Sequence, residues 1–398
     1  MFIYNLVVKF IKQKSQFTGF FVLALLLGCQ PAGIKETSDD ILMQQAQTDA
    51  RAAATLAAKR IASNELAAAL YWLQQAAKLG DAAALSHALQ LQQRLEGKLA
   101  TANWLAQAVA INQLTLAAVS QQQQHELGFW SESDTLPKVA AYSSPNGCAV
   151  TIQPLASQLA GVQRWQLLRQ QWLEHAELAQ LAVCFSALAH VESTALSCSE
   201  QLEQRISCQY QPLQQIVSQA ADISQVLVIA GRGKASYNNG IIQLPDNATL
   251  DLLQHEFLHL LGFIDEYSLN TASAEQVCQN QKLHPNIVLA TNIEQYLQHW
   301  QLKRSDISLT PVDTCKAVGK QAFRVVVDIN PMRFYEAKMP AIYWQLAAKV
   351  LQQPEHIMPV QYYFAFLARQ QQDWPLWQQF MQQASAQGYP DAQQALSL

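Results

Sequence analysis

The run HEFLHLLGFIDEY, His255 to Tyr267, sets two histidines four residues apart with a glutamate directly after the first. On a helix, positions i and i+4 stack on one face. Two imidazoles at that spacing reach one Zn²⁺, and Glu256 then points at a water beside it. The flanking residues favour a helix. Pro245 and Asp246-Asn247 form a start signal, and Leu250, Leu252, Leu253, Phe257, Leu258, Leu260 and Leu261 make the segment strongly apolar. Buried histidines and a buried glutamate need partners, because an unpaired polar group costs several kcal/mol; a metal with its water provides them. Gly262 follows, where a helix stops in a left-handed turn, and a fold-back there brings Asp265 towards the histidines. HExxH alone arises by accident in roughly one chain in a hundred of this composition. Adding the glycine and the acid lowers that to about one in ten thousand.

HExxHxxGxxD resembles the zinc signature of the metzincins, with Asp265 where a third histidine is commoner. The trailing Asp265-Glu266-Tyr267 is similar to a run in the IgA-peptidase group of metallopeptidases, whose acid sits one position later. Glu266 therefore competes with Asp265 as third ligand. Pro285-Asn286 and Trp300 resemble the same group more faintly, and the resemblance spans about residues 140 to 350. It implies an α+β, zincin-like (metzincin-type) catalytic domain with a methionine turn beneath the metal. Met332, in Asn330-Pro331-Met332-Arg333-Phe334-Tyr335, is the candidate for that turn. Tyr335 is a candidate transition-state stabiliser, although the family's tyrosine follows its methionine by two residues rather than three.

At 398 residues and 50% hydrophobic, the chain is long enough for two or three domains. Its net charge of −4 gives no footprint for nucleic acid. Lys9, Lys12 and Lys14, an apolar run from Phe20 to Leu27, then Gly28-Cys29 read as a secretory signal. The end of that segment resembles a bacterial lipobox, which implies a mature lipoprotein acylated at Cys29. Gln30 after the cysteine favours an outer-membrane anchor facing the periplasm or the cell surface. In that compartment Cys148, Cys184, Cys198, Cys208, Cys278 and Cys315 suggest up to three disulfides. Cys278–Cys315 and Cys198–Cys208 are the favoured pairs.

The expected organisation is a signal over residues 1–28, a tether over 29–40 and a helical region over 41–135. A zincin-like domain comes next over 140–345, and a second helical region over 346–398. Leu66, Leu70, Leu73 and Ala77, then Ala84, Ala88, Leu91 and Leu95, mark a helical hairpin turning at Gly80-Asp81. Gln121 to Gln124 reads as a solvated helical end. Ala76-Ala77…Gly80…Ala84 and Ala384…Gly388…Ala392 both resemble the core of Sel1-like, TPR-related repeats, which implies protein-binding hairpins.

Between these regions Cys148–Ile152, Ala182–Leu188 and Val226–Ala230 read as strands and Leu159–Gln180 as a helix. Tyr237–Leu244, with Gly240 at its centre, reads as an edge strand or hairpin, and an exposed edge there offers backbone groups to a peptide. Strand, edge strand, then HExxH helix is the order of zincin folds, by resemblance. Gly231-Arg232-Gly233 is a turn and not a phosphate loop. The segment after Tyr267 reads as loop-rich, with His284 and His299 as alternative ligands, and then a strand over Phe323–Val327.

The expected activity is that of a membrane-anchored zinc endopeptidase. Its metal would be held by His255, His259 and Asp265 or Glu266, with Glu256 as general base and a protein or peptide as substrate. Two other readings stay open. One is a non-catalytic envelope scaffold that binds a protein partner through its hairpins. The other is a zinc amidase acting on cell-wall peptides. No specificity pocket is recognisable in the sequence.

Overall fold

The computed structural model describes residues 38–131 and 136–397. The signal segment, Cys29 and most of the tether lie outside the described residues. The chain opens with α1 (Ser38–Gln45), α2 (Ala50–Ala62), α3 (Leu66–Lys78), α4 (Ala82–Glu96), α5 (Lys98–Ala110) and α6 (Gln121–Leu127). Asp49 caps α2 through the Ala52 N–H at 2.7 Å, and Asp81 caps α4 through the Ala84 N–H at 3.0 Å. Leu70, Leu73 and Ala76 of α3 pack with Ala84, Ala88 and Leu91 of α4, so the expected hairpin forms around Gly80. The glutamine tract is the first turn of α6, capped by Ser120. These helices dock on the central region of the chain through polar contacts. The Leu99 N–H at the start of α5 donates to Glu200 at 3.4 Å, and Lys98 pairs with Asp246 at 3.5 Å.

The middle of the chain runs β1 (Val150–Ala156), α7 (Leu159–Glu174), β2 (Val183–Phe185), β3 (Ala189–His190), α8 (Ser193–Leu196), β4 (Glu200–Arg205), α9 (Gln214–Gln219), β5 (Gln225–Ile229), β6 (Arg232–Lys234), β7 (Ser236–Asn238), β8 (Ile241–Leu244) and α10 (Leu250–Leu260). The main sheet has the order β2-β1-β5-β8-β7, with β3 also beside β1. Every pairing in it is parallel except that of β7, which runs antiparallel to β8 and forms the edge. β4 and β6 make a separate two-stranded pair. All five residues of β5 are buried, as expected of a strand covered on both faces. Leu227 and Ile229 point to one side, into the core shared with Trp165, Leu168 and Trp172 of α7 and Phe257 of α10. Val226 and Val228 point to the other. The β7–β8 turn is fixed by Gly240. Its φ is +80°, and a Cβ there would lie 2.6 Å from the Val360 Cα.

After α10 come α11 (Thr271–Val277), β9 (Ile287–Leu289), α12 (Ile293–His299), β10 (Thr310–Val312) and β11 (Ala322–Arg324). The three strands form an antiparallel sheet of order β10-β11-β9; β11 overlaps the strand expected over Phe323–Val327, whereas β9 and β10 fall where sequence reasoning expected loops. Each spans three residues, too short to show a period-two pattern. The last helices are α13 (Ala341–Leu351), α14 (Val360–Gln370), α15 (Trp374–Ala386) and α16 (Pro390–Leu396). The expected boundary at 345/346 falls inside α13, whose Tyr343, Leu346 and Ala347 belong to the core of the metal-bearing face. Helices α14 and α15 cover the opposite face of the sheet, with Phe364 and Phe380 against Val226 and Val228. A seam of amides ties α15 down. Gln379 and Gln383 donate to the Ser218 carbonyl at 2.9 and 2.7 Å, and Gln387 to those of Ala221 and Ile223 at 2.8 and 2.9 Å. The chain is of the mixed α+β class.

Cys278–Cys315 and Cys198–Cys208 pair as expected, and Cys148–Cys184 completes the set. Three disulfides suit an oxidising, extracytoplasmic setting. Among the described residues no helix is long and apolar enough to cross a membrane. Cys278–Cys315 closes 37 residues around the small sheet, a loop whose cross-link is worth about 4 kcal/mol by chain entropy. Replacing both cysteines by serine is therefore expected to cost about 2–4 kcal/mol in denaturant unfolding; an unchanged midpoint would show that the cross-link adds nothing to stability.

Candidate metal centre

Helix α10 starts one turn later than the proline signal suggests. Thr249 is its N-cap, accepting from the Leu252 N–H at 3.2 Å. Its end is set by Gly262, at φ +82°. The Gly262 N–H donates to the His259 carbonyl and the Phe263 N–H to that of Leu258, both at 3.0 Å. This pair of bonds is a Schellman motif, which needs the left-handed conformation that glycine adopts freely. The chain turns back there, and Asn286 holds the returning segment: it accepts from the Ile264 N–H at 2.9 Å and donates to the Ile264 carbonyl at 2.7 Å.

The fold-back brings His255, His259 and Asp265 together, with one ligand atom of each within 4.8 Å of the others. The Nδ1 of His255 bonds the Pro331 carbonyl, and the Nδ1 of His259 bonds the Phe263 carbonyl, both at 2.9 Å. In neutral rings those Nδ1 atoms carry the proton, which leaves each Nε2 lone pair free. The Asp265 Oδ1 lies 3.6 Å from the His255 Nε2 and 3.3 Å from the His259 Nε2. Ligand atoms about 2.1 Å from a tetrahedral metal are separated by about 3.4 Å, so little movement is needed to bind one. The other oxygen of Asp265 accepts from the Tyr267 hydroxyl at 2.6 Å.

The residues fit a cation on a second ground. The Asp265 Oδ1 and the Glu256 Oε2 are both buried and have no hydrogen-bond partner. Buried polar atoms are ordinarily satisfied, and an ion with its water would satisfy both. The electrostatics agree. Burial pushes the Glu256 carboxyl up to about 7, against the pull of His259. Burial also acts to raise Asp265, but the facing His259 imidazole, 3.3 Å away, holds it below the usual range. Burial acts to lower His259, yet Asp265 raises it; burial and His259 together lower His255. This histidine–histidine–aspartate set can hold a metal ion.

The two candidates for third ligand part company. Asp265 faces the histidines, whereas the Glu266 side chain is wholly buried in the opposite direction. Glu266 accepts from the Tyr343 hydroxyl at 2.7 Å, from Asn330 at 2.9 Å and from Asn286 at 3.3 Å, and lies 3.7 Å from Arg324. Met332 is fully buried beneath the site, and its carbonyl accepts from the Glu266 backbone N–H at 2.9 Å. Tyr335 is exposed on the wall of the cleft that holds the metal residues. His284 bonds the Val277 carbonyl, and neither it nor His299 joins the metal group.

The cleft has a volume of about 900 Å³ and is lined by His255, Glu256, His259, Asp265, Tyr267 and the edge strand β7, with Arg205 at its side. Ser236 and Tyr237 of β7 line this cleft together with Glu256, so the free edge of the sheet lies by the general-base candidate. Sequence reasoning missed Tyr267, Asn330 and Tyr343 as supports of the ligand set. The only advance signal was that Tyr267 follows Asp265 by two residues. Compared with known protein families the chain matches none, and no curated protein matches it. Removing the Tyr267 hydroxyl frees one oxygen of Asp265. Tyr267→Phe is expected to weaken metal binding about 10- to 100-fold, read by competition with a chromogenic chelator; unchanged affinity would show that the hydroxyl does not hold the ligand.

Proposed function

We propose that the protein is a zinc-dependent endopeptidase of the zincin (metzincin-like) type, carried on a lipid-anchored chain of the bacterial envelope. The observation that carries this reading is one juxtaposition. Two free imidazole Nε2 atoms and an unpartnered aspartate oxygen converge beside a buried glutamate oxygen that also lacks a partner. A purely structural site has no use for that glutamate, and structural zinc sites are closed by a fourth protein ligand. The order of parallel strand β5, antiparallel edge strand β7, parallel strand β8 and then the HExxH helix fits the same class by resemblance. The disulfides fit an oxidising compartment.

His255, His259 and Asp265 would hold Zn²⁺. When bound, zinc lowers the pKa of water and polarises a carbonyl; aspartate in place of histidine makes it a weaker Lewis acid. The edge of β7 offers backbone groups to an extended peptide and so holds the scissile bond over α10. Glu256 takes a proton from water as the water oxygen bonds to the carbonyl carbon. It then returns that proton to the nitrogen as the carbon–nitrogen bond breaks. A carboxyl lifted by burial towards neutrality suits both transfers. Tyr335, on the cleft wall, is the candidate donor to the oxygen that gains charge.

Elemental mass spectrometry of the detergent-solubilised full chain is expected to give about one zinc per chain, lost in His259→Ala. Glu256→Gln should keep the zinc and lose peptide hydrolysis. Zinc-free protein, or full activity in Glu256→Gln, would overturn the mechanism and leave the envelope scaffold as the better account. Tyr335→Phe should keep the zinc and lower kcat about tenfold or more; unchanged turnover removes Tyr335 from the mechanism.

A further inference from the structure

A second cavity, of about 560 Å³, opens beside the metal cleft and shares two walls with it, His259 and Tyr237. Its lining is chiefly apolar and, besides Tyr237 of β7, comes from four separate segments. These are the end of α10 (Leu261), the loop before β9 (Leu283, Pro285), Trp300 after α12, and the stretch from Val350 to Met358. Aspartate and glutamate are absent from its lining among the described residues, while Lys282, His284, His299 and His356 contribute to it. A lysine or arginine side chain entering it would lose hydration without gaining a partner. A large aliphatic or aromatic side chain would instead bury its surface at about 25 cal/mol per Å².

The cavity is built rather than incidental. The loop that carries Leu283 is held by the His284 Nε2 on the Val277 carbonyl at 3.0 Å and by the Tyr296 hydroxyl on the Pro285 carbonyl at 2.6 Å. Lys349 bonds the Trp300 carbonyl from α13, and the Met358 carbonyl accepts from Gln225 of β5 at 2.9 Å. A pocket whose walls are fixed beforehand orders few groups on binding, which favours affinity.

The sheet gives the pocket a direction. A peptide added to the free edge of β7 in the more stable, antiparallel sense runs as β8 does, from the Asn238–Ile241 end towards the Ser236–Gln243 end. The metal cleft takes Gly233, Lys234, Ala235 and Ser236 into its wall, while the second cavity touches this edge only at Tyr237 and lies by Met358, near the start of α14. Gly240, in the turn after Asn238, packs directly on Val360 at that same helix start. The cavity therefore sits at the end where the N-terminal part of such a peptide lies.

We infer that this cavity is the specificity pocket of the enzyme, accepting a bulky apolar side chain of the substrate peptide on the N-terminal side of the bond that is cut. The inference rests on the peptidase reading. The test is cleavage of a defined peptide library by the full-length zinc-loaded protein, with cut sites read by mass spectrometry. It is run beside Leu283→Trp, which fills the pocket, and Met358→Trp, which crowds it from a part-exposed position at its mouth. The expected result is enrichment of Leu, Phe or Met at one fixed position upstream of the cut. In the variants, the ratio of kcat/KM for Leu against Ala at that position should fall about tenfold or more, with zinc content retained. Three results would overturn the pocket while leaving the peptidase standing: cuts with no upstream preference, an apolar preference only downstream of the cut, or an unchanged ratio in both variants. An absence of any cut that Glu256→Gln abolishes would instead remove the peptidase reading, and the pocket with it.

Discussion

The Glu266 carboxylate has no exposed side-chain surface, and it is surrounded by four groups from distant parts of the chain. Asn286 precedes the small sheet, Asn330 lies in the turn that carries Met332, Tyr343 lies in α13, and Arg324 ends β11. Burying a carboxylate costs several kcal/mol even after relaxation, and charge-assisted bonds from tyrosine and two asparagines offset that cost. Burial leaves its pKa raised all the same, against the pull of those partners. Its backbone N–H fixes the Met332 carbonyl, and the neighbouring Pro331 carbonyl orients His255. Glu266 thus stands one residue from Asp265, which can serve as a metal ligand, and links the segments that hold the site. Between α10 and α13 the longest helices, α11 and α12, have 7 residues each, and a polar hub ties those short segments together.

Around the hub, each metal-facing side chain is fixed by the atom that the metal would not use. His255 is held by the Pro331 carbonyl, His259 by the Phe263 carbonyl and Asp265 by the Tyr267 hydroxyl. Only one of the three supports, Phe263, belongs to the Schellman turn that ends α10; the others come from the Met332 turn and from the residue next to Glu266. The three ligands therefore depend on the fold-back after Gly262 and on the later turn meeting it. The main sheet sets the height of the arrangement by packing β5 against α10 on one face while α14 and α15 hold the other.

The features legible in the sequence were local. The α10 periodicity, the glycine that ends it and the acid ten residues after His255 all act within one or two turns of chain. The N-terminal hairpin was readable for the same reason, since Asp81 and Gly80 lie beside the helices that they cap and end. The choice between Asp265 and Glu266 was not readable. It depends on Asn286, Asn330 and Tyr343, up to 77 residues away, and nothing in the run Asp265-Glu266-Tyr267 says which acid turns inward. Of the small sheet only β11 was legible; β9 and β10 were hidden because each is three residues long, with an outcome set by tertiary pairing rather than pattern. Cys148–Cys184 results from β1 lying beside β2, an adjacency with no trace in spacing. The C-terminal helices read as a separate region because their pattern is helical throughout, although their buried face meets the sheet.

The seam that holds α15 is made of amides. Gln379, Gln383 and Gln387 fall on one stripe of the helix, and they donate to carbonyls at the end of α9 and in the loop before β5. Neither partner in these bonds titrates in the range where proteins fold, and neither is an ion whose pairing dissolved salt could screen. The attachment of the C-terminal helices to the sheet is in this respect indifferent to acidity and ionic strength. His255, Glu256, His259 and Asp265, which do respond to both, are gathered at the cleft on the opposite face. The molecule keeps its chemically responsive side and its mechanically constant side on different surfaces of one sheet.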